Sequence, residues 1–361
     1  MNSVRISFSK LCNMSIQNNF VESEFISLYN GIGEKLVISM SKTVKMQPFI
    51  AKACLKSNIS TGVWKPVYEN FYNRNKKVIE ALDIIFTSFH KHGIKKVFLS
   101  ENFGALLSSD SDFALFASGD VDCCADCSEY KKICTVFEEL KFSRKEKYSN
   151  KLLISSEFSN DRILPKNFTI SIDLYPLSRL SMPCFVQTDT FLNWNKMRQY
   201  GSTSIILPPI DALMYICLLH ISLHSFCREP AIRLYRDIVN AAMKIRIDDW
   251  ASILKWAKRD KVCRRISVAA YISSIIGNVK IPTEITSFCS KKILDLVFDS
   301  DNDILKDEPN RLNVLRIETL CNDNSELNGM KEILYPDSDW MIEVYGKNNV
   351  ITKMKHVFDI L

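Results

Sequence analysis

Glycine is scarce in this chain, 10 residues in 361, and none stands in a G-x-G-x-x-G or G-x-x-x-x-G-K-[ST] frame. Those frames bring backbone N–H groups against phosphates, so the dinucleotide-binding and P-loop classes are excluded. A serine at the centre of G-x-S-x-G is also missing, which removes the α/β-hydrolase reading. Histidine is scarcer still, with five in all. No uncharged run of about 18 apolar residues occurs, so no membrane span is expected. The N-terminus lacks a charged segment followed by an apolar stretch, so no secretory leader is expected either. Internal repeats and low-complexity tracts are missing, which argues against solenoids and flexible linkers.

Twelve cysteines are present, and most stand alone in apolar or helical contexts, such as Cys217, Cys227, Cys263 and Cys289. The one cluster, Cys123-Cys124-Ala125-Asp126-Cys127, contains a single C-x-x-C without the second pair or histidines of a zinc site. A cytoplasmic setting with reduced thiols is expected. Hydrophobic residues make up 47% and charged residues 24%, which suffices for a sizeable core. The length is comfortable for two domains. A net charge of +6, spread along the chain, permits anionic ligands such as nucleotides or RNA without demanding them.

Changes of pattern divide the chain into a polar, mixed segment at 1–45, an α/β core at 46–207 and a mainly helical domain at 208–361. From Gln47 to His92 the period is helical, with an apolar stripe of Val78, Ile79, Leu82, Ile85, Phe86 and Phe89. Gly93 suits the left-handed C-terminal cap. A short strand is expected at Lys95–Ser100, then strands at Asp120–Ala125, Leu152–Ser155 and Phe168–Tyr175. A helix is expected over Ser128–Leu140 with Ser128 as its N-cap. In the last strand Phe168, Ile170, Ile172 and Leu174 share one face, and Thr169, Ser171, Asp173 and Tyr175 share the other. After Pro208-Pro209 the pattern is helical, with Asp211 starting one helix, Pro230 near the first turn of the next, and Asp248-Asp249-Trp250 opening another.

Chemistry concentrates at Gly119-Asp120-Val121-Asp122. Two carboxylates one residue apart on a strand point to the same face and can offer oxygens to one cation. Magnesium takes such hard ligands, using one or two carboxylates together with phosphates. Asp173, on the polar face of its own strand, is placed to complete a site for two ions. It is also placed to accept the proton of an incoming hydroxyl.

The ordered set resembles the bacterial family of uncharacterised nucleotidyltransferases, within the DNA-polymerase-beta-like superfamily. The pieces are the amphipathic helix, Val97-Phe98-Leu99, Gly119-Asp120-Val121-Asp122 and Ile172-Asp173-Leu174. They continue with Leu218-Leu219-His220-Ile221-Ser222-Leu223-His224, Arg233-Leu234-Tyr235-Arg236-Asp237, Asp249-Trp250, and a tail from Leu334-Tyr335-Pro336 to Tyr345-Gly346. The match runs from about residue 45 to the end of the chain. The resemblance implies an α+β fold: a small mixed β-sheet nucleotidyltransferase core with flanking helices, followed by a mainly helical domain. It implies magnesium-dependent transfer of a nucleoside monophosphate from a nucleoside triphosphate such as ATP, with Asp120, Asp122 and Asp173 as the catalytic, metal-binding residues for one or two Mg2+ ions. The acceptor is not implied, and a small molecule, a sugar, a peptide or an RNA end all remain open. Where the family has Leu-Lys-Gly, this chain has Leu99-Ser100-Glu101. Glu101 repels a triphosphate unless it faces away; Ser100 can still donate a hydroxyl hydrogen bond, Gly104 can supply the close backbone approach, and Gly119 is the third cofactor-binding candidate. That departure opens an alternative, a degenerate relative that binds a nucleotide or partner without turnover.

Other features have simpler accounts. His220 and His224 lie one helical turn apart, and Ile221 occupies the place where H-E-x-x-H needs glutamate, so a metalloprotease site is excluded. With Arg233 and Asp237 they are expected to form a polar network, structural or facing the cleft. Lys91, Lys95 and Lys96 read as a solvated basic edge. Phe191, Trp194 and Tyr200, interleaved with Lys196 and Arg198, could stack bases but fit packing equally well.

Overall fold

The computed structural model describes residues 3–109, 112–149, 152–175, 192–228, 231–323, 330–331, 334 and 338–360. Pro230, Phe191, Tyr335 and Pro336 lie outside them. The architecture is α+β, a mixed sheet surrounded by many helices.

Three helices fill the first segment, α1 (Ser3–Ile16), α2 (Glu22–Ile32) and α3 (Glu34–Thr43), although its polar, mixed composition shows no clear period. The reason lies in α1. It buries Phe8, Leu11, Cys12, Met14 and Ile16, but Asn13 and Ser15 are buried among them, so the apolar stripe is broken. The expected helical stretch from Gln47 is two helices, α4 (Gln47–Lys56) and α5 (Thr61–Lys91). The break falls at Asn58 and Ser60, both at positive φ, 53° and 45°, a conformation that asparagine tolerates. Helix α5 buries Val78, Leu82, Ile85, Phe86 and Phe89, as its stripe requires. Gly93 ends it at φ 68°. There its N–H donates to His90 O at 3.0 Å and the Ile94 N–H to Phe89 O at 2.9 Å, a left-handed cap.

The chain then runs through β1 (Val97–Leu99), α6 (Phe103–Ser108), β2 (Asp120–Asp126), α7 (Tyr130–Glu139), β3 (Ser143–Ser149), β4 (Leu152–Ser159) and β5 (Thr169–Tyr175). Among the described residues these five strands form one sheet in the order β1-β2-β5-β4-β3. Only β2 and β5 run parallel. Strand β3, Ser-Arg-Lys-Glu-Lys-Tyr-Ser, has no apolar alternation because it is an edge strand, and the period that would announce it is missing. Helix α7 also starts differently from expectation. A 3-10 turn at Cys127–Glu129 precedes it, and the Asp126 carboxylate, not Ser128, is the cap, accepting the Ser128 N–H at 2.9 Å.

One face of the sheet is apolar. Val121, Cys123, Ala125, Phe158, Ile170, Ile172 and Leu174 are buried, and Phe137 of α7 stacks on Phe158 with ring centroids 3.9 Å apart. The other face carries the polar residues of β2, β4 and β5. Two-residue strands β6 (Arg198–Gln199) and β7 (Ile206–Leu207) lead into α8 (Ile210–Leu223), α9 (Ala231–Ala242), α10 (Ile247–Arg259) and α11 (Cys263–Ile276). Helix α10 opens with a capping box in which Asp249 Oδ2 accepts the Arg246 N–H at 2.8 Å. Helix α6 packs on α8 and α9, and α1 packs on α4 and α9. A turn with β8 (Phe298–Asp299) and β9 (Ile304–Leu305) touches α1, and further helices run to 360. No helix among the described residues is long and apolar enough to cross a membrane.

Candidate active site

The register of the sheet decides which carboxylates meet. Parallel pairing sets Asp120 opposite Thr169, Asp122 opposite Ser171 and Cys124 opposite Asp173. Antiparallel pairing sets Ser155 opposite Asp173 and Glu157 opposite Ser171. Paired residues share a face, and so do residues two apart, so Asp120, Asp122, Asp173 and Glu157 all rise from the polar side. They line a cavity of about 350 Å³ together with Glu101, Asn102, Ser155 and Ser171. His220, Leu223, His224, Arg233 and Leu234 of α8 and α9 complete its lining. The three aspartates singled out from the sequence therefore line one cavity, and of the expected polar network His220, His224 and Arg233 line it while Asp237 does not.

Neighbours orient two of these carboxylates. The Ser118 hydroxyl donates to Asp120 Oδ1 and the Asn102 amide donates to Asp122 Oδ2. Asn102 is a site residue that no sequence pattern reveals. It sits at φ 58°, directly before α6, and its Oδ1 is buried without a partner among the described residues. An unusual backbone conformation and an orphaned acceptor are features that cluster at functional sites. Glu157 was missed because β4 runs to Ser159 rather than stopping at Ser155.

Charge in the cavity is strongly one-sided. Burial pushes the Asp122 carboxyl well above the usual carboxylate range, and Glu101, Asp120 and Asp173 push it further, against the Asn102 hydrogen bond. Glu101 does not face away. It lines the cavity and lies 3.5 Å from His220 Nδ1, and the His220 and His224 rings meet edge to face at 5.1 Å. Asp237 stands behind the wall, where the Asn102 N–H donates to it. Burial chiefly raises its carboxyl to about 7, with Glu101 adding to the rise and Arg233 opposing it.

Asp237 gives a pH prediction. Its folded-state pKa lies above the ordinary value near 3.8, so the protonated form suits the fold. Its contribution to stability is complete in acid and is lost as pH rises through about 7, by proton linkage. Asp237→Asn keeps the oxygen that accepts the Asn102 N–H. Its melting temperature should fall less than that of the wild type between pH 6 and pH 8.5; equal declines in the two proteins would remove the assignment.

The remaining sequence candidates are placed elsewhere. Ser100 is fully buried; its N–H donates to Asp122 O at 3.0 Å and its hydroxyl to the same oxygen at 3.4 Å. Gly104 is required by packing, because a Cβ there would stand 2.8 Å from Leu99 O. Gly119 stands just before β2, where a Cβ would meet only Asn167 O at 3.8 Å. Lys96 pairs with Asp126 at 3.1 Å, and Lys91, Lys95 and Lys96 do not line the cavity. Trp194 packs edge to face on Phe98 at 5.6 Å, and Arg198 reaches Ser108 O at 3.4 Å. Cys123 and Cys124 are buried and Cys127 is exposed.

A hard divalent cation fits this donor set. The candidate ligands are all carboxylate oxygens, and the anionic excess around Asp122 calls for a compensating charge. Among the described residues no group of three His, Cys, Asp or Glu side chains stands close enough to hold a metal ion by itself. Magnesium suits such an open arrangement, because it keeps several waters and binds through one or two carboxylates plus phosphates. Comparisons with protein-family models, curated proteins and solved structures find no match to this chain.

Proposed function

We propose that the chain is a magnesium-dependent nucleotidyltransferase, moving a nucleoside monophosphate from a nucleoside triphosphate to an acceptor hydroxyl or similar nucleophile. The observation that carries this reading is that Asp120, Asp122 and Asp173 line one cavity, with Arg233 also in its wall. Asp120 and Asp122, oriented by Ser118 and Asn102, would hold the metal, with Asp173 as the third ligand. Bound magnesium would neutralise the charge of the triphosphate and of the departing pyrophosphate. In the transfer, the acceptor oxygen bonds to the α-phosphorus and the bond from that phosphorus to the α–β bridging oxygen breaks. Asp173 takes the acceptor proton, and pyrophosphate leaves. Arg233, on the helical side, supplies cationic donors to phosphate oxygens. Much of the rate would come from positioning and charge compensation.

Glu101 favours a second reading. A fifth carboxylate in this cavity, beside Asp120, Asp122, Glu157 and Asp173, works against a triphosphate, and a protein that binds a nucleotide without turning it over tolerates that better than an enzyme does. Release of pyrophosphate from magnesium nucleotide distinguishes the two. The enzyme reading expects release that Asp173→Asn abolishes. Magnesium-dependent binding with no pyrophosphate from any of the four nucleotides and a panel of hydroxyl acceptors would favour the binder.

A further inference from the structure

The carboxylate cavity is not the largest recess, and a second one has the opposite chemistry. A small cavity of about 50 Å³ lies between α4, α9 and the loop joining α1 to α2, lined by Lys52, Lys56, Arg236, Gln17, Asn18 and Phe20 among others, with no acidic residue in its wall. A larger chamber of about 470 Å³ lies between α1, α2, the end of α11 and the turn joining β8 to β9. Gln17 and Phe20 belong to both walls, so the two recesses adjoin. Neither shares a lining residue with the carboxylate cavity.

The cationic end is built rather than incidental. Arg236 is only 4% exposed. Its Nη1 donates to Ile16 O at 2.5 Å and to Asn18 Oδ1 at 3.0 Å, while its Nε is buried with no partner among the described residues. Lys52 has Asp112 at 3.5 Å, and Lys56 stands over the Phe20 ring at 4.6 Å. Three cations around one small recess repel one another, and a guanidinium nitrogen buried without an acceptor carries a desolvation cost. An anion relieves both. Arginine and lysine together suit phosphate, the first by its planar fork and the second as a compact charge.

The wide chamber specifies the rest of the ligand. Asn13 is 6% exposed; its amide N–H donates to Asp303 O at 2.7 Å, and its Oδ1 is buried without a partner among the described residues. Glu24 and Asp303 also line this chamber. These groups accept hydrogen bonds, so a ligand body rich in O–H or N–H donors fits them.

We propose that the joined recess is a second ligand site, which takes a phosphorylated small molecule with its phosphate between Lys52, Lys56 and Arg236 and a hydroxyl- or amino-bearing body against Asn13, Glu24 and Asp303. The assignment is independent of the metal site, and the test keeps the two apart.

Binding is measured by calorimetry at fixed ionic strength in EDTA, which removes any magnesium-dependent binding at the carboxylate cavity. The probes are inorganic phosphate, adenosine 5′-monophosphate and acetate. Phosphate should bind saturably, the nucleoside monophosphate more tightly, and acetate far more weakly than either. Lys52→Gln/Lys56→Gln should weaken both phosphate probes about tenfold or more, the usual scale for lost charged hydrogen bonds, with an unchanged circular dichroism spectrum. Asn13→Leu should weaken the monophosphate and leave inorganic phosphate as in the wild type. No saturable phosphate binding, wild-type affinity in the lysine variant, or acetate binding as well as phosphate would overturn the site. Equal loss of both phosphate probes in Asn13→Leu would overturn the placement of the ligand body.

Discussion

Asp120→Asn/Asp122→Asn should lower nucleotidyl transfer about a thousandfold, equivalent to about 4 kcal/mol of transition-state stabilisation, while the protein stays folded. The exchange is isosteric, and asparagine can still accept the hydrogen bonds from Ser118 and Asn102. It removes two charges from a cluster that also holds Glu101, Glu157 and Asp173, so no buried group loses a charged partner. Stability should hold or rise, because Asp122 is driven up by burial and by its acidic neighbours and its contribution is lost as pH rises through the folded-state value. A metal-site reading therefore predicts a variant that is inactive yet at least as stable at pH 8. The wild type should also gain thermal stability from magnesium nucleotide, about 2.7 kcal/mol at a hundredfold excess over Kd, and the variant should gain none. Retained transfer in the variant would remove Asp120 and Asp122 from the chemistry, and a folded-state collapse would make them structural.

The opposite result is expected for Phe137→Ala, which should cost about 3–5 kcal/mol of stability without touching the cavity. Phe137 is buried at the centre of an aromatic group. Its ring stacks on Phe158 at 3.9 Å and meets Phe142 at 5.0 Å and Phe89 at 5.6 Å, both edge to face. Phe158 pairs with Ile170 across β4 and β5, the strands that carry Glu157 and Asp173 on their other face. Truncation removes the support under the sheet and leaves a cavity that the rigid strands cannot close. Urea unfolding should show a lower midpoint with little change in slope, and transfer measured well below that midpoint should be nearly normal. A loss smaller than about 1 kcal/mol would mean that α7 is not fastened to the sheet through this ring.

Asp120, Asp122 and Asp173 were legible because strands place alternate residues on one face, and the clean alternation from Phe168 to Leu174 assigned Asp173 to the polar side. Gly93 and Asp249 were legible because helix ends need specific caps. Asn102 and Glu101 were not, since they lie on a turn between β1 and α6 whose direction depends on α8 and α9. Glu101 could be judged only as a departure; its approach to His220 needs a helix more than a hundred residues later. The N-terminal helices escaped because α1 buries Asn13 and Ser15 in its core face, and β3 because a charged edge strand carries no period. Lys52, Lys56 and Arg236 are separated by 180 residues or more between the lysines and the arginine, and no local pattern joins them.

The most direct test is calorimetric titration with each of the four nucleoside triphosphates, with and without magnesium, in the wild type and in Asp120→Asn/Asp122→Asn. Magnesium-dependent binding of at least one triphosphate in the wild type, lost in the variant, is the result expected if the carboxylate cavity is a metal–nucleotide site. Binding that ignores magnesium or survives in the variant, or no binding at all, would contradict that claim.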